Sequence, residues 1–256
     1  MTIAVGVLGA AGAMGQEVLE ALGSDARLHA AVVRPASAKV GMSVPGHDVA
    51  YRGLEPGVFD GCDVVIDFSL PAGLHDALPM LDGIPLVTGT TGIDPATEPR
   101  LAHHATTAPQ LRAANFSAGV TLLLDLVARA AAALPDADLE VIEVHHKRKR
   151  DAPSGTALAL VDALGSARPE ARPVRGRDGA VGPRARDEIG VHAVRGGDVV
   201  GDHTVWLLAD GERVALQHIA SRRGTFAVGA IRAARWIAVQ STGSYTMRDV
   251  LGLTDR

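Results

Sequence analysis

Residues 143–156 bring together side chains that can move protons and bind anions. Two adjacent histidines, His145 and His146, follow an apolar run that begins at residue 139, and four consecutive cations occupy residues 147–150. Histidine and lysine are the side chains best suited to donate a proton near neutral pH. We therefore expect acid–base chemistry on an anionic substrate in this part of the chain.

The same segment runs into the predicted start of a helix. Residues 153–156 read Pro-Ser-Gly-Thr, in which Ser154 is the expected N-cap. The backbone N–H groups of Gly155 and Thr156 then lack partners inside the helix and suit a substrate carboxylate. The cations of residues 147–150 together with these backbone amides predict a small dianionic substrate.

The geometry of a strand limits the roles of the two histidines. Side chains two positions apart share a face, so the carboxylate of Glu143 is expected to orient the imidazole of His145. Neighbours on a strand point to opposite faces, which argues against a metal site made by His145 and His146. The single cysteine, Cys62, excludes an intrachain disulfide and a multi-cysteine zinc site.

The basic run could instead be a solvated loop that contacts nucleic-acid phosphates. The chain as a whole carries a formal net charge of -4 and only 3% aromatic residues. An acidic chain with few stacking platforms is a poor nucleic-acid binder. We therefore expect no nucleic-acid partner.

A second candidate site is the glycine-rich turn at residues 9–15. Its spacing is GxxGxxG, and it lies where an apolar run gives way to a helical pattern. Glycines at such a point let the backbone approach a pyrophosphate, whose charge the helix amides and dipole stabilise. The turn predicts a dinucleotide site, with a purely structural turn as the alternative.

The end of the second predicted strand bears on the choice of cofactor. A carboxylate there binds the adenosine ribose hydroxyls, whereas an arginine suits a ribose phosphate. This chain has Val33 followed by Arg34, with Lys39 nearby. The pattern weakly favours NADPH over NADH, unless Arg34 is simply a solvated charge.

The first 115 residues alternate apolar runs with helical patterns, which is typical of a parallel sheet wrapped by helices. The predicted strands are residues 3–8, 28–33, 64–68 and 85–88. One predicted helix begins at residue 16, and a second covers residues 74–81. Residues 67–69 and 89–92 then follow strands at the carboxyl edge, where ligands of such sheets bind.

After Asn115 the pattern changes, so we expect two domains with a boundary near that residue. The predicted helices here are residues 120–134, 154–164, 226–239 and 247–251, and the predicted strands are residues 139–146, 191–195, 204–209 and 213–221. Gly165 is expected to end the helix of residues 154–164, and the Gly-, Pro- and Arg-rich residues 165–190 are predicted to form a long mobile loop.

Composition limits the broad class of the protein. The chain has 256 residues, of which 47% are hydrophobic and 21% charged, which is ordinary for a globular protein. Residues 1–15 lack the basic start of a signal peptide, and residues 118–134 carry two charges that disfavour membrane insertion. We expect a cytoplasmic protein without a membrane partner.

Several of these segments together resemble one family. The run Glu-Val-His-His at residues 143–146, with Lys149 and Asp-Ala-Pro-Ser-Gly-Thr at residues 151–156, resembles the signature of the dihydrodipicolinate reductases, also called 4-hydroxy-tetrahydrodipicolinate reductases. The likeness extends over nearly the whole chain through residues 9–15, 67–69, 89–92, 113–117, 188–190, 195–197, 201–203 and 225–226.

The resemblance implies a fold and an activity. The fold would be α/β, with an N-terminal Rossmann dinucleotide-binding domain (residues 1–115 and 226–256) and a smaller mixed α/β domain for substrate binding and tetramer formation (residues 116–225). The activity would be NAD(P)H-dependent reduction of 4-hydroxy-tetrahydrodipicolinate with loss of water, in lysine and diaminopimelate biosynthesis. The enzyme would be a homotetramer.

The resemblance also implies roles for individual residues. His145 would be the proton donor or acceptor and Lys149 the proton donor, while His146, Gly155 and Thr156 would bind the substrate's carboxylates. The nucleotide would be bound by Gly9, Ala10, Ala11, Gly12, Ala13, Met14, Arg34, Gly89, Thr90, Thr91, Ala113, Ala114, Asn115 and Phe116. No metal is implied.

Two features depart from the pattern of many family members. Val33 stands where many carry an acidic residue, and Ala11 and Ala13 stand where many carry a basic residue in the glycine turn. The first argues against a strong NADH preference, and the second removes a possible phosphate contact. The rival interpretations are another NAD(P)-dependent imine or amino-acid dehydrogenase, or a nucleotide-binding redox sensor.

Overall fold

The computed structural model describes residues 2–253 and contains two β-sheets with helices around them. The strands are β1 Ile3–Leu8, β2 Ala26–Val33, β3 Tyr51–Gly53, β4 Val64–Asp67, β5 Leu86–Thr88, β6 Pro109–Arg112, β7 Asp138–His145, β8 Arg172–Arg175, β9 Glu188–Arg195, β10 Asp202–Ala209, β11 Glu212–Ile219 and β12 Gly243–Tyr245. The helices are α1 Ala13–Ala21, α2 Pro71–Ala77, α3 Glu98–Thr107, α4 Ala118–Ala133, α5 Gly155–Ala167, α6 Gly224–Ile237 and α7 Met247–Leu251, with a 3₁₀ turn at Leu78–Met80.

The chain divides into two units. The first contains the chain up to Ala118 and from Gly224 onwards, and the second is Gly119–Arg223. Sequence patterning places the boundaries near Asn115 and before Phe226. Among the described residues, no helix is long and apolar enough to cross a membrane.

The first unit is built on a parallel sheet with the strand order β12-β6-β5-β4-β1-β2-β3. Strands β1 and β4 are buried almost throughout, as expected for strands covered on both faces. Since β1 pairs with β2 on one side and β4 on the other, the chain reverses its direction of winding here. Ligands of such sheets bind at this point, beyond the carboxyl ends of the strands.

Four elements of the first unit lack a clear sequence signal. Strands β3, β6 and β12 have three or four residues each, too few for a periodic pattern. Helix α3 begins with Glu98 and Pro99 and buries only Leu101 and His104, so its apolar face is narrow. These elements owe their conformation to pairing and packing in the tertiary structure.

The second unit is built on a mixed sheet with the strand order β11-β10-β7-β9-β8. Central strand β7 alternates strictly between half-buried and buried residues. Its buried Leu139 and Val141 belong to a core with Leu160 and Leu164 of helix α5. The strand therefore delivers Glu143 and His145 on the same face, at its carboxyl end.

The prediction of a mobile loop over residues 165–190 is wrong in part. Helix α5 continues past Gly165 to Ala167, strand β8 occupies Arg172–Arg175, and β9 already begins at Glu188. One glycine costs a helix only about 1 kcal/mol, which the burial of Leu164 offsets. Arg177 and Arg184 also bind Glu140 of β7, which holds the segment against the sheet.

Candidate active site

The end of strand β7 holds a hydrogen-bonded pair of titratable side chains. Glu143 is fully buried and His145 is 8% exposed. The Nδ1–H of His145 donates to Glu143 Oε2 at 2.5 Å. A carboxylate on Nδ1 leaves Nε2 as the ring nitrogen that exchanges a proton.

Glu143 is held by further donors that sequence reasoning missed. Arg195 of β9 donates from Nη1 to Oε2 and from Nη2 to Oε1, each at 2.7 Å. The backbone N–H of Ser154 donates to Oε1 at 3.0 Å. Burial alone would raise the pKa of Glu143, but the hydrogen bonds from Arg195, His145 and Ser154 outweigh burial and lower it. Glu143 is therefore a carboxylate, and it accepts four hydrogen bonds.

The predicted N-cap of helix α5 is confirmed. Ser154 Oγ accepts from the backbone N–H of Ala157 at 3.1 Å and shares a 3.0 Å hydrogen bond with His203 Nε2. Burial, followed by the nearby His145, lowers the pKa of His203 to about 4. A neutral His203 packs edge-on against His145, with 5.1 Å between ring centroids.

Lys149 and His146 lie in the loop that follows β7. The ammonium group of Lys149 is 2.9 Å from Asp151 Oδ2, and its side chain is 20% exposed. His146 Nε2 accepts from Arg223 Nη2 at 3.3 Å, because arginine can only donate. Partial burial and then the cations Arg148 and Arg223 lower the pKa of His146. The neutral ring then carries its proton on Nδ1, for which residues 2–253 offer no acceptor.

The first turn of helix α5 adds backbone donors beside these side chains. Gly155 is exposed and Thr156 is half-buried, and they are the first two residues of the helix. First-turn N–H groups have no carbonyl partner within their own helix. The second unit thus places the hydrogen-bonded Glu143–His145 pair, Lys149 and a helix N-terminus around the loop after β7.

The glycines of the turn at residues 9–15 allow close approaches of the backbone in the first unit. Gly9 has φ +80°, and a Cβ there would lie 2.6 Å from Phe68 O. A Cβ on Gly15 would lie 2.3 Å from Gly9 O, so helix α1 can start this close to β1 only with glycine at residue 15. Helix α1 begins at Ala13, and its first-turn amides include those of Ala13 and Met14. Ala10 donates its N–H to Val32 O, and Gly12 is the N-cap.

A buried carboxylate organises the two neighbouring loops of this edge. Asp67 is fully buried and accepts from Thr88 Oγ1 and Thr90 Oγ1, each at 2.7 Å, and from Ser69 N at 2.8 Å. A Cβ on Gly89 would lie 2.3 Å from the ring of Phe68. The segment containing Gly89, Thr90 and Thr91 is therefore fixed directly after β5.

The remaining predicted nucleotide residues follow β2 and β6. Arg34 is exposed at the first position after β2, and Lys39 lies over the ring of Tyr51 at 5.4 Å. Ala113 donates its N–H to Thr88 O, and Asn115 Oδ1 accepts from Ser117 N at 2.8 Å. All the predicted nucleotide-binding segments, including Ala11, Ala114 and Phe116, thus follow strands β1, β2, β5 and β6 at the carboxyl edge of one parallel sheet. A turn with glycines at residues 9, 12 and 15, followed by the first-turn amides of helix α1, fits a dinucleotide there.

Several residues of the second site could not be found by pattern. Arg195, His203 and Gly201 lie about 50 residues beyond His145 in sequence, and strand pairing alone brings them together. A Cβ on Gly201 would lie 2.9 Å from His145 Nε2, so glycine leaves room for the ring. The signal available in the sequence was that residues 195–197 and 201–203 belong to the family resemblance.

Comparisons with known proteins identify the family of this chain. A family model described as dihydrodipicolinate reductase, N-terminus, matches residues 3–116, and one described as dihydrodipicolinate reductase, C-terminus, matches residues 119–251. The chain belongs to the dihydrodipicolinate reductase family.

Members of this family with curated names are similar over their full length. The 4-hydroxy-tetrahydrodipicolinate reductases of Thiobacillus denitrificans and Psychrobacter arcticus are each 44% identical, over 99% of this chain and 100% and 96% of theirs. A solved dipicolinate-bound dihydrodipicolinate reductase from Paenisporosarcina sp. TG-14 has the same fold, with a TM-score of 0.76 at 22% identity over 96% of this chain and 98% of that one. The expected family and the expected fold class are both confirmed.

Proposed function

We propose that this protein is a 4-hydroxy-tetrahydrodipicolinate reductase of lysine and diaminopimelate biosynthesis. The overall change consumes the substrate, one NAD(P)H and one proton, and yields tetrahydrodipicolinate, NAD(P)⁺ and water. The observation that carries the proposal is the Glu143–His145 pair beside Lys149 and the start of helix α5, in a member of this family.

The nucleotide would be held by the carboxyl edge of the parallel sheet. Its pyrophosphate fits the turn at Gly9, Ala10, Ala11, Gly12, Ala13 and Met14, and Gly89, Thr90, Thr91, Ala113, Ala114, Asn115 and Phe116 would bind the rest of it. When bound, the reduced nicotinamide supplies a hydride for C4 of the unsaturated ring.

The protein's own part in the chemistry is to deliver a proton and hold the substrate. As a hydride reaches C4, the adjacent ring carbon gains electron density and needs a proton. His145 Nε2 and the ammonium of Lys149 are the groups proposed to move that proton. Arg195 and Glu143 hold the His145 ring in one orientation, which keeps the donor in place.

The substrate's carboxylates would be bound beside this pair. The N–H groups at Gly155 and Thr156 provide helix N-terminal donors for one carboxylate. His146 would donate from Nδ1, the nitrogen opposite the one that accepts from Arg223. The surrounding cations stabilise negative charge that develops during reduction.

The preferred cofactor is proposed to be NADPH. Arg34 is an exposed guanidinium at the end of β2, and Val33 is a buried apolar residue that offers no carboxylate for a ribose hydroxyl. A guanidinium suits the 2′-phosphate of NADPH.

The cytoplasmic location and the homotetramer remain predictions of the same interpretation.

A coupled assay tests the reaction. Dihydrodipicolinate synthase, pyruvate and aspartate semialdehyde generate the labile substrate in place, and loss of nicotinamide absorbance is followed with NADPH and NADH in parallel. We expect oxidation that requires the synthase, and faster with NADPH. Protein that binds NADPH but oxidises neither cofactor would point to another dehydrogenase or to a redox sensor instead.

A further inference from the structure

Arg195 contacts the acid–base pair without being part of it. It lies at the end of β9, directly opposite His145 in the parallel register of β7 and β9. Its guanidinium forms a two-pronged pair with Glu143, whose side chain is 0% exposed, while Arg195 itself is 21% exposed. A carboxylate buried this deeply is uncommon unless an opposite charge balances its own.

The charge balance around His145 depends on this arginine. Facing the ring are Glu143 on its own strand, Arg195 on β9 and neutral His203 on β10, while the loop after β7 contributes His146, Lys149 and Asp151. Without the guanidinium, the carboxylate of Glu143 would act on the imidazole with its full charge. A close opposite charge favours the protonated form of a histidine.

We propose that Arg195 is a positioning residue that sets the pH at which His145 exchanges its proton, by balancing the charge of Glu143. This inference rests on the proposed function, because the proton exchange matters through the reaction that His145 serves. It does not require Arg195 to touch substrate or cofactor.

A second contact gives Arg195 an influence on the neighbouring loop. Its Nη2 also donates to Asp151 O at 2.7 Å. Asp151 in turn pairs with Lys149. One guanidinium thus fixes the partner of His145 and the backbone of the residue that pairs with Lys149. Arg195 therefore aligns both groups proposed to move the proton.

Arg195→Gln and Arg195→Lys separate charge from shape. Glutamine removes the charge and keeps an amide donor, whereas lysine keeps the charge and loses the fork. For Arg195→Gln we expect the limb of the pH profile of kcat/KM that depends on His145 to move to higher pH by about one unit. Arg195→Lys should keep the limb near its wild-type position and lose less kcat.

Glu143→Gln should shift the pH profile in the opposite direction. It removes the negative charge and leaves the guanidinium, so the same limb should move to lower pH. Arg213→Gln, which neutralises an exposed arginine on β11, is the matched control and should leave the profile in place. Circular dichroism and NADPH affinity establish that each variant is folded.

Nitrogen NMR of the His145 ring gives a readout that needs no turnover. Opposite shifts of its titration midpoint in Arg195→Gln and Glu143→Gln support the proposal, even if the wild type fails the coupled assay and the proposed function falls. Equal loss of activity at every pH, with midpoints unchanged in both variants, would overturn it and leave Arg195 a purely structural residue. A wild-type midpoint in Arg195→Gln overturns it as well.

Discussion

At the residue scale, the central feature is a histidine whose carboxylate partner is itself neutralised. Glu143 has 0% exposure and is bound by Arg195, His145 and the backbone of Ser154. A buried carboxylate that lost all three of these partners would have to take up a proton or become solvated. The arrangement fixes the direction of the imidazole while keeping the pair with Arg195 close to neutral.

The acid–base roles predict large losses of turnover on substitution. His145→Gln and Lys149→Met should each lower kcat by roughly 10²- to 10⁴-fold, because each removes a proton-transfer group. Steady-state rates in the coupled assay measure the effect, with circular dichroism as the check on folding.

Lys147→Met is the matched control for the lysine. It removes the same charge from an exposed position in the same loop, so its loss of kcat should be far smaller than that of Lys149→Met. If Lys149→Met and Lys147→Met behaved alike, Lys149 would act only through the charge of the loop.

Arg34 predicts a difference between the two cofactors. Arg34→Ala should raise KM for NADPH by about tenfold and leave KM for NADH nearly unchanged, because only NADPH has the 2′-phosphate. Initial rates with each cofactor at saturating substrate measure this. Equal changes for both cofactors would show that Arg34 does not contact the phosphate.

At the element scale, two glycines determine how closely backbone segments approach. Helix α6 crosses the segment after β6 so closely that a Cβ on Gly229 would lie 1.8 Å from Phe116 O. In helix α5, a Cβ on Gly165 would meet nothing within 4 Å. The same substitution should therefore have opposite effects in the two helices.

Gly229→Ala should destabilise the protein and weaken nucleotide binding. The methyl group must displace the backbone at Phe116, which costs about 1–3 kcal/mol and moves a predicted nucleotide-binding segment. Gly165→Ala, its control, should stabilise the protein by about 0.5–1 kcal/mol. Urea unfolding measures both, and an NADPH titration of Gly229→Ala measures the second effect. Equal stability of the two variants would contradict this packing.

The segment between α5 and β9 is anchored by charge rather than by apolar packing. Glu140 accepts from Arg177 at 2.8 and 3.0 Å, from Arg184 at 3.1 Å and from His192 at 2.8 Å. Burial alone would raise the pKa of Glu140, but hydrogen bonds from Arg177, His192 and Arg184 outweigh it and bring the pKa to about 2.

This anchor predicts a stability that depends on pH. A carboxyl group whose pKa is lower in the folded state contributes stability above its unfolded value of 4.5, and that stability disappears as the pH falls towards about 2. Glu140→Gln should thus lower the free energy of unfolding by about 1–3 kcal/mol at pH 7. The difference from wild type should shrink between about pH 5 and pH 2.

Unfolding in urea across this pH range measures the effect. Glu212→Gln changes an exposed carboxylate at the start of β11 and should cost little at any pH. A Glu140→Gln deficit that stayed constant down to pH 2 would mean that the charge of Glu140 is not what anchors the segment.

At the scale of the whole molecule, each predicted function belongs to one unit. The predicted nucleotide-binding segments all follow strands of the first unit, and the Glu143–His145 pair and the N-terminus of helix α5 belong to the second. In the second unit the residues of β7 and β10 that face away from the core include half-buried Ile142, Val144, Trp206 and Leu208. Glu140 lies on the same face of β7, so the apolar part of the face is confined to the region of these four side chains, and an apolar patch of this kind is typical of subunit contacts.

The homotetramer predicts a single species of about 106 kDa, four copies of the 26.4 kDa chain. Sedimentation velocity at micromolar concentration distinguishes monomer, dimer and tetramer, because their masses differ by whole multiples of one chain. A monomer at all concentrations would contradict the prediction and would leave the apolar face of the second sheet without a partner.

The sequence predicts those features that depend on neighbours along the chain. Longer periodic strands and helices, such as β1, β10 and α4, agree with their predicted positions to within two residues, because period and burial specify them locally. The Ser154 cap and the strand face shared by Glu143 and His145 were accessible for the same reason. The family resemblance supplied the reaction and the residue roles.

Tertiary structure decided what sequence distance conceals. Strands β3, β6, β8 and β12 are too short for a pattern and exist because a neighbouring strand pairs with them. The Gly- and Arg-rich residues 165–190 were expected to form a loop, but Arg177 and Arg184 pair with Glu140 and anchor this segment to the sheet. Arg195 and His203 lie beside His145 only because their strands pair with β7. Pairing in a sheet brings together residues about 50 positions apart in the sequence. A periodic sequence pattern, in contrast, extends no further than its own strand or helix.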